Sequence, residues 1–174
     1  MTVAARTSSV VICGLGGQGV LFLTRLLGEA AIEEGREVLT AETKGMAQRG
    51  GAVYSHLKFG ACNSPIVRMG RADLVLALDA TRRAAAEMFL APGGTLVING
   101  PAGDGDRVGC DAAKAAAEIG FPRGLNLVLL GCARKRAPDR LPSSAAIVAA
   151  LKRLSSADAC ERNRHALEQG ERLA

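Results

Sequence analysis

The chain has 174 residues, of which 48% are hydrophobic and only 3% aromatic, and it carries a formal net charge of +5. This length suits a single domain, residues 1–174, with a substantial buried core. Scarce aromatic side chains leave little surface for stacking bases, so the composition disfavours a nucleic-acid partner despite the positive charge. No apolar run has the length of a membrane span or of a signal-peptide core, which predicts a cytoplasmic protein that does not bind membranes.

The five cysteines are widely spaced and include no C-x-x-C pair. An odd number at such spacing argues against a disulfide framework and against a zinc or iron–sulfur site. We therefore expect reduced thiols and no metal site in this chain.

A glycine-rich loop follows the first predicted strand, residues 10–13. Gly14, Gly16 and Gly19 fall on the G-x-G-x-x-G spacing, which suits a turn with positive φ, a ligand close to the backbone and a helix packed against its strand. The N–H groups at the start of such a helix favour an anion. A close-packed strand–helix turn without a ligand is the alternative. The candidate binding residues of this loop are Gly14, Gly16, Gly17, Gln18 and Gly19.

The pattern after the loop predicts a helix that ends at Gly35 and a short buried strand over 38–41. Strand, loop, helix and strand fit a right-handed βαβ unit. Glu42 lies about 20 residues beyond the glycines, where a dinucleotide-binding domain has its ribose-binding acid. A second glycine-bounded polar loop, residues 43–51, then stands where a second crossover helix would be expected.

Residues 52–59 alternate in the manner of an exposed or half-buried strand, which we expect to be the antiparallel member of the sheet. His56 in this strand is interpreted as structural rather than as a base, because no carboxylate or nucleophile is spaced to pair with it. Asp79 is predicted to cap a helix. Further strands, the middle two of them buried on both faces, are predicted over 66–67, 73–78, 95–99 and 107–110.

From Asp111 onward the pattern is helical. Arg134 to Arg136, with Arg140, are interpreted as a helix end whose charges complement the helix dipole, an anion site being the alternative. The sum of the elements predicts a Rossmann-like three-layer α/β/α sandwich with a mainly parallel, mixed sheet. The helices are predicted over 111–119, 125–132, 143–154 and 157–170.

The sequence contains no complete catalytic set, because it lacks a Ser-His-Asp arrangement, a metal-ligand cluster and a phosphate-loop lysine. Its two histidines are His56 and His165, and His165 is predicted on the polar side of the last helix. Such a chain is expected to be a binding module or one subunit of a larger enzyme.

Several segments carry a family resemblance that extends over almost the whole chain, namely residues 14–19, 42–51, 55–56, 64–65, 94–99 and 122–131. The most specific feature is the loop G-M-A-Q-R-G-G in register with G-x-G-G-Q-G. These segments resemble the gamma-type subunits of 2-oxoacid:ferredoxin oxidoreductases, and among them the beta subunits of indolepyruvate ferredoxin oxidoreductases.

The resemblance implies oxidative decarboxylation of a 2-oxoacid by coenzyme A, with electrons passing to ferredoxin. It also implies that thiamine diphosphate and 4Fe-4S clusters lie on a companion alpha-type subunit, and that this chain alone binds no cofactor. Coenzyme A is a candidate ligand. Under this resemblance the N–H groups of residues 16–19 bind an anionic group or fix the subunit interface, and Lys44, Gln48 and Arg49 line the same sheet edge. Arg49 is the preferred charged contact, because a guanidinium makes paired hydrogen bonds to phosphate or carboxylate, with an interface salt bridge as the alternative.

The chain departs from the family pattern in a shorter connection over 99–111 and in a basic stretch over 132–140. Either change is compatible with another substrate, acceptor or partner. Two other functions stay open from the sequence. One is a free-standing Rossmann-like NAD-binding oxidoreductase with Glu42 on the ribose, and the other is an assembly scaffold.

Overall fold

The computed structural model describes residues 7–44, 50–101 and 106–174. These residues form a six-stranded sheet whose strands are β1 (Ser8–Leu15), β2 (Val38–Lys44), β3 (Ala52–Phe59), β4 (Ala72–Ala77), β5 (Leu90–Asn99) and β6 (Arg107–Cys110). The strand order is β2-β3-β1-β4-β5-β6. β1, β4, β5 and β6 are parallel, whereas β3 runs antiparallel to both of its neighbours. The predicted mixed, mainly parallel sheet is therefore confirmed.

The position of β3 changes two of the sequence predictions. Because β3 forms hydrogen bonds with both β1 and β2, β2 is an edge strand and does not pair with β1 as a simple βαβ unit would require. Leu39 and Thr40 are accordingly exposed, so the prediction of a buried second strand was wrong. β3 in turn is more buried than predicted, since Leu57 and Phe59 are enclosed on one face and His56 is buried on the other.

The helices cover the two faces of the sheet unequally. They are α1 (Val20–Glu33), α2 (Arg83–Phe89), α3 (Ala112–Glu118), α4 (Leu125–Arg136), α5 (Ser144–Leu154) and α6 (Ala157–Leu173). One face packs against α1 and α3 to α6 in a large apolar core. The other face carries a smaller core under α2 and the segment 60–71. The α/β/α architecture is confirmed, with a thin second helical layer.

Most helix ends lie close to where glycine and capping residues in the sequence predicted them. Gly35 follows α1 with a φ of 67°, and Gly120 follows α3 with a φ of 70°. The side chains of Asp111 and Ser143 accept hydrogen bonds from the first turns of α3 and α5. The basic residues 134–136 form the last turn of α4, as predicted.

Two strand predictions need correction. Residues 66–67 form no strand, and the backbone N–H of Val67 instead donates to the His56 side chain. β5 begins at Leu90 rather than at Thr95, because its pairing with β4 continues across a register shift. None of the helices in the part of the chain that the structure describes is long and apolar enough to cross a membrane.

Candidate functional site

The glycine loop joins the carboxyl end of β1 to the start of α1, between the neighbouring strands β3 and β4. Gly17 has a φ of 96° and Gly19 a φ of 85°, a region of backbone conformation in which other residues are strained. The predicted turn with positive φ is therefore confirmed. Gly14 and Gly16 have no positive φ. A Cβ at Gly14 would lie about 3 Å from its neighbours, whereas a Cβ at Gly16 would make only ordinary contacts, at 3.7 Å and beyond.

The Gln18 side chain links the loop to the end of β1 and to Asp79 by hydrogen bonds. Its Oε1 accepts a hydrogen bond from the Leu15 N–H at 2.7 Å, and its Nε2 donates to Asp79 Oδ2 at 3.0 Å. A Cβ at Gly14 would lie 2.9 Å from the same Oε1, so a glycine here makes room for the Gln18 side chain. Hydrogen bonds from Thr81, and a smaller one from Gln18, hold the pKa of the Asp79 carboxyl below its usual value. The Gln18 side chain therefore shapes the loop.

The second loop approaches the first one through the backbone. The Gly16 N–H donates to the Gly51 carbonyl at 3.0 Å, and a Cβ at Gly16 would have its nearest neighbours at Gly50 and Gly51. The structure thus places the described end of the second loop, Gly50 and Gly51, beside the first loop. The Lys44 side chain, Gln48 and Arg49 lie outside the described residues, so their predicted roles stay predictions.

The start of α1 presents backbone N–H groups that the helix itself does not use. Gly19 is the N-cap without a side-chain hydrogen bond, and the first turn contains no acidic residue. The first bond within the helix runs from the Leu23 N–H to the Gly19 carbonyl, so the N–H groups of residues 20–22 have no acceptor inside the helix. With the helix dipole, these groups favour an anion.

A cleft of about 540 Å³ opens beside this helix start. Residues 17–19 form one wall, and the beginning of α4 with the preceding turn forms the other wall. In that second wall Arg123 is exposed, whereas Asn126 is only 5% exposed. Asn126 Nδ2 donates to the Gly19 carbonyl at 3.4 Å, and a Cβ at Gly19 would lie 2.2 Å from the same nitrogen. Gly19 therefore allows α1 and α4 to approach each other.

Arg123 and Asn126 were not among the residues predicted for the site. They belong to Pro122-Arg123-Gly124-Leu125-Asn126, which carried part of the family resemblance without being given a role. A proline and an arginine at the opening of a buried helix could have indicated that this helix start lies at a ligand edge. Their proximity to Gly19 depends on packing between elements more than 100 residues apart, with a sequence separation of 107 between Gly19 and Asn126.

Glu42 lies away from the glycine loop. It is exposed on the edge strand β2, where it lines a separate cleft with residues of α1 that include Arg25 and Glu29. Because β3 separates β2 from β1, two strand spacings of together roughly 10 Å lie between these strands. This arrangement does not favour Glu42 as the ribose-binding acid of a site at the glycine loop.

His56 is a buried structural residue. It is 4% exposed, its Nδ1 accepts a hydrogen bond from the Val67 N–H at 3.4 Å, and its ring meets the Phe89 ring edge-on at 5.6 Å. Burial, and to a smaller degree the charge of Lys58, lowers the pKa of His56. The structural interpretation agrees with this geometry. His165 is exposed on α6, as predicted.

None of the five cysteines forms a disulfide, although the side chains of the buried Cys110 and Cys132 lie within hydrogen-bond reach of each other. Cys13, Cys110 and Cys132 are buried, and burial raises the pKa of the Cys13 thiol to about 12. No group of three metal-ligating side chains occurs among the residues that the structure describes.

The family model for pyruvate ferredoxin/flavodoxin oxidoreductase matches residues 9–173. The chain belongs to this family. Among its relatives, the indolepyruvate oxidoreductase subunit IorB of Archaeoglobus fulgidus is 37% identical over 91 residues, which are 52% of this chain and 45% of the relative. The IorB subunit of Methanothermobacter thermautotrophicus is 41% identical over 71 residues, which are 41% of this chain and 36% of the relative. The chain thus spans less than half the length of these curated relatives in the matched segments.

Two solved structures share the fold of this chain. The gamma subunit of a keto/oxoacid ferredoxin oxidoreductase from Geobacter sulfurreducens superposes with a TM-score of 0.76 at 25% identity, covering 96% of this chain and 98% of that one. A 2-oxoglutarate:ferredoxin oxidoreductase from Magnetococcus marinus, solved with 2-oxoglutarate, coenzyme A and succinyl-CoA bound, superposes with a TM-score of 0.81 at 19% identity. That match covers 97% of this chain and 31% of the other chain.

Proposed function

We propose that this chain is a subunit of a thiamine diphosphate-dependent 2-oxoacid:ferredoxin oxidoreductase acting on indolepyruvate or a similar aryl-pyruvate. The observation that carries the proposal is the family match over residues 9–173, together with curated relatives that are indolepyruvate oxidoreductase subunits. The complex oxidatively decarboxylates the 2-oxoacid with coenzyme A and passes the electrons to ferredoxin. This chain completes the active site and has no activity alone.

In this proposal, thiamine diphosphate and the 4Fe-4S clusters belong to the companion alpha-type subunit. Thiamine diphosphate supplies the carbanion chemistry of decarboxylation, and the clusters carry single electrons. The donor set of this chain supports that division. Three of its cysteines are buried, and no group of three metal-ligating side chains occurs within the described ranges.

The cleft between the glycine loop and α4 is the proposed contact for coenzyme A. Coenzyme A carries phosphate groups, and the uncapped start of α1 offers backbone N–H donors with the positive end of a helix dipole. Arg123 stands on the opposite wall, where its guanidinium can form paired hydrogen bonds with a phosphate. Arg49 of the second loop stays a second proposed contact on the same edge.

The test is the coenzyme A dependence of the reconstituted complex with Arg123→Ala. Loss of one charge-assisted contact of about 1.5–3 kcal/mol would raise the KM for coenzyme A by roughly 10- to 100-fold, with little change in the KM for the 2-oxoacid. Arg172→Ala, which removes an exposed arginine from the end of α6, is the matched control. An unchanged KM for coenzyme A in the Arg123 variant would exclude this contact.

The scaffold alternative is favoured by a specific observation. Gly14 and Gly19 each make room for a neighbour within the chain itself, so two glycines of the motif have a structural reason without any ligand. If the loop served assembly alone, Arg123→Ala would weaken the complex or leave it unaffected, and the KM for coenzyme A in the assembled complex would not change.

A further inference from the structure

On the sheet face under α2, basic side chains surround a shallow cleft of about 230 Å³. Lys58 comes from β3, whereas Arg68 and Arg71 come from the segment 60–71. Arg68 and Arg71 are exposed, and Lys58 is half-buried. The cleft also contains the side chains of Ser9, Ser64 and Ile66.

The positive charge of this cleft is not neutralised within the described ranges. None of its three cations forms an ion pair there, although several other arginines of the chain do. The nearby carboxylate of Asp73 is already engaged, because it pairs with Arg140 at 3.4 Å and accepts the Ser9 N–H at 2.8 Å. A surface with three uncompensated positive charges therefore remains.

Exposed apolar side chains border the same cleft. Ile66 is 45% exposed, Met69 63% and Met88 54%. The Gly70 N–H donates to the Met88 carbonyl at 2.8 Å, which holds the segment 60–71 against the end of α2 and places Met88 beside this segment. Methionine and arginine are enriched in protein interfaces, and adjoining exposed apolar groups mark such interfaces.

We propose that Lys58, Ile66, Arg68, Met69, Arg71 and Met88 form a docking surface for a carboxylate-bearing face of the companion subunit. The inference rests on the proposed function, which supplies that partner. Charge complementarity selects an acidic partner, because a second copy of this chain, with a net charge of +5, would bring like charges together. The surface is distinct from the coenzyme A cleft, since Ser9 and Gly14 lie near opposite ends of β1, roughly 17 Å apart.

The test measures the dissociation constant of the complex between this chain and its companion subunit by analytical ultracentrifugation at low and high salt. Arg68→Glu with Arg71→Glu replaces two exposed side chains and should weaken the complex by roughly 10- to 100-fold at low salt, with a smaller effect at high salt. Met69→Ser with Met88→Ser should weaken it at both salt concentrations, because that contribution is apolar.

The matched control is Lys152→Glu with Arg172→Glu, which reverses two exposed charges on α5 and α6. It should leave the dissociation constant within about twofold of the wild type. If the Arg68/Arg71 variant bound the companion subunit with the same dissociation constant as the control variant, the docking surface would be wrong and the proposed function would still stand. If the wild-type chain did not bind the companion subunit, both proposals would fail. A third experiment titrates the chain with inorganic phosphate. If the Arg68/Arg71 variant lost phosphate binding while the dissociation constant of its complex with the companion subunit stayed unchanged, the cleft would bind a small anion. That result would also overturn the proposal.

Discussion

Three glycines of the first loop face three different neighbours. Gly14 faces the Gln18 side chain, Gly16 faces the second glycine loop, and Gly19 faces Asn126 at the start of α4. Gly17 has no heavy atom within 4 Å of the position a Cβ would take, so only its positive φ calls for glycine. Steric fit and backbone conformation are therefore separable at Gly17 and Gly19.

A comparison of Gly17→Ala with Gly19→Ala separates the two effects. Gly17→Ala should cost about 1–2 kcal/mol of unfolding free energy, because alanine is strained at positive φ. Gly19→Ala should cost about 1–3 kcal/mol more, since its Cβ would overlap the buried Asn126 side chain. Urea unfolding followed by circular dichroism measures both values. In an Asn126→Ala background the excess should disappear, and an excess that persists would contradict the steric explanation.

At the scale of elements, α4 and α6 cross at two glycines. A Cβ at Gly131 would lie 2.0 Å from the Leu167 carbonyl oxygen, and a Cβ at Gly170 would lie 1.9 Å from the Val128 carbonyl oxygen. Both obstacles are backbone atoms, which cannot rotate away as a side chain can. The close approach buries α4 on nearly all sides between the sheet and α6.

Gly170→Ala should therefore lower the free energy of unfolding by about 3 kcal/mol or more, because α4 and α6 would have to separate. Gly28→Ala in α1 is the matched control, since its Cβ would meet no atom within 4 Å. That variant should instead be more stable by about 0.5–1 kcal/mol, through the higher helix propensity of alanine. Urea unfolding of the two variants provides the measurement, and a Gly170 variant as stable as the Gly28 variant would refute the tight crossing.

For the molecule as a whole, the unequal helical layers concentrate stability on one face. The second face depends on α2 and the segment 60–71, and His56 lies beneath this cover. In the folded protein the pKa of His56 is below its usual value of 6.5, mainly because of burial. The hydrogen bond from the Val67 N–H requires an unprotonated Nδ1, so protonation would remove it.

The free energy of unfolding should therefore fall as the pH decreases below about 6.5, down to the lowered pKa of folded His56. In this interval the unfolded chain binds up to one proton more than the folded chain. The free energy of unfolding can therefore change by at most about 1.4 kcal/mol per pH unit through His56. Urea unfolding across this pH range tests the slope. His56→Gln should flatten it whatever the absolute stability of the variant, and an identical slope in both proteins would show that His56 is not responsible.

Features that depend on neighbours along the chain were predictable from the sequence. The bounds of β3 and β6, the capping of helices by Asp79 and Asp111, and the loop between β1 and α1 follow from side-chain alternation, cap residues and glycine spacing. Capping hydrogen bonds, side-chain alternation and glycine turns each depend on residues only a few positions apart in the sequence. The family resemblance rested on the same local segments.

The sequence by itself thus determined the order of the helices, the mixed sheet and the glycine loop between β1 and α1. Only the tertiary structure decided that β3 separates β1 from β2, that Gln18 is bound to Asp79, and that Asn126 lies against Gly19. These last contacts join residues 61 and 107 positions apart. Their geometry follows from how helices pack on a shared sheet, a property of the whole core that local periodicity and spacing do not contain.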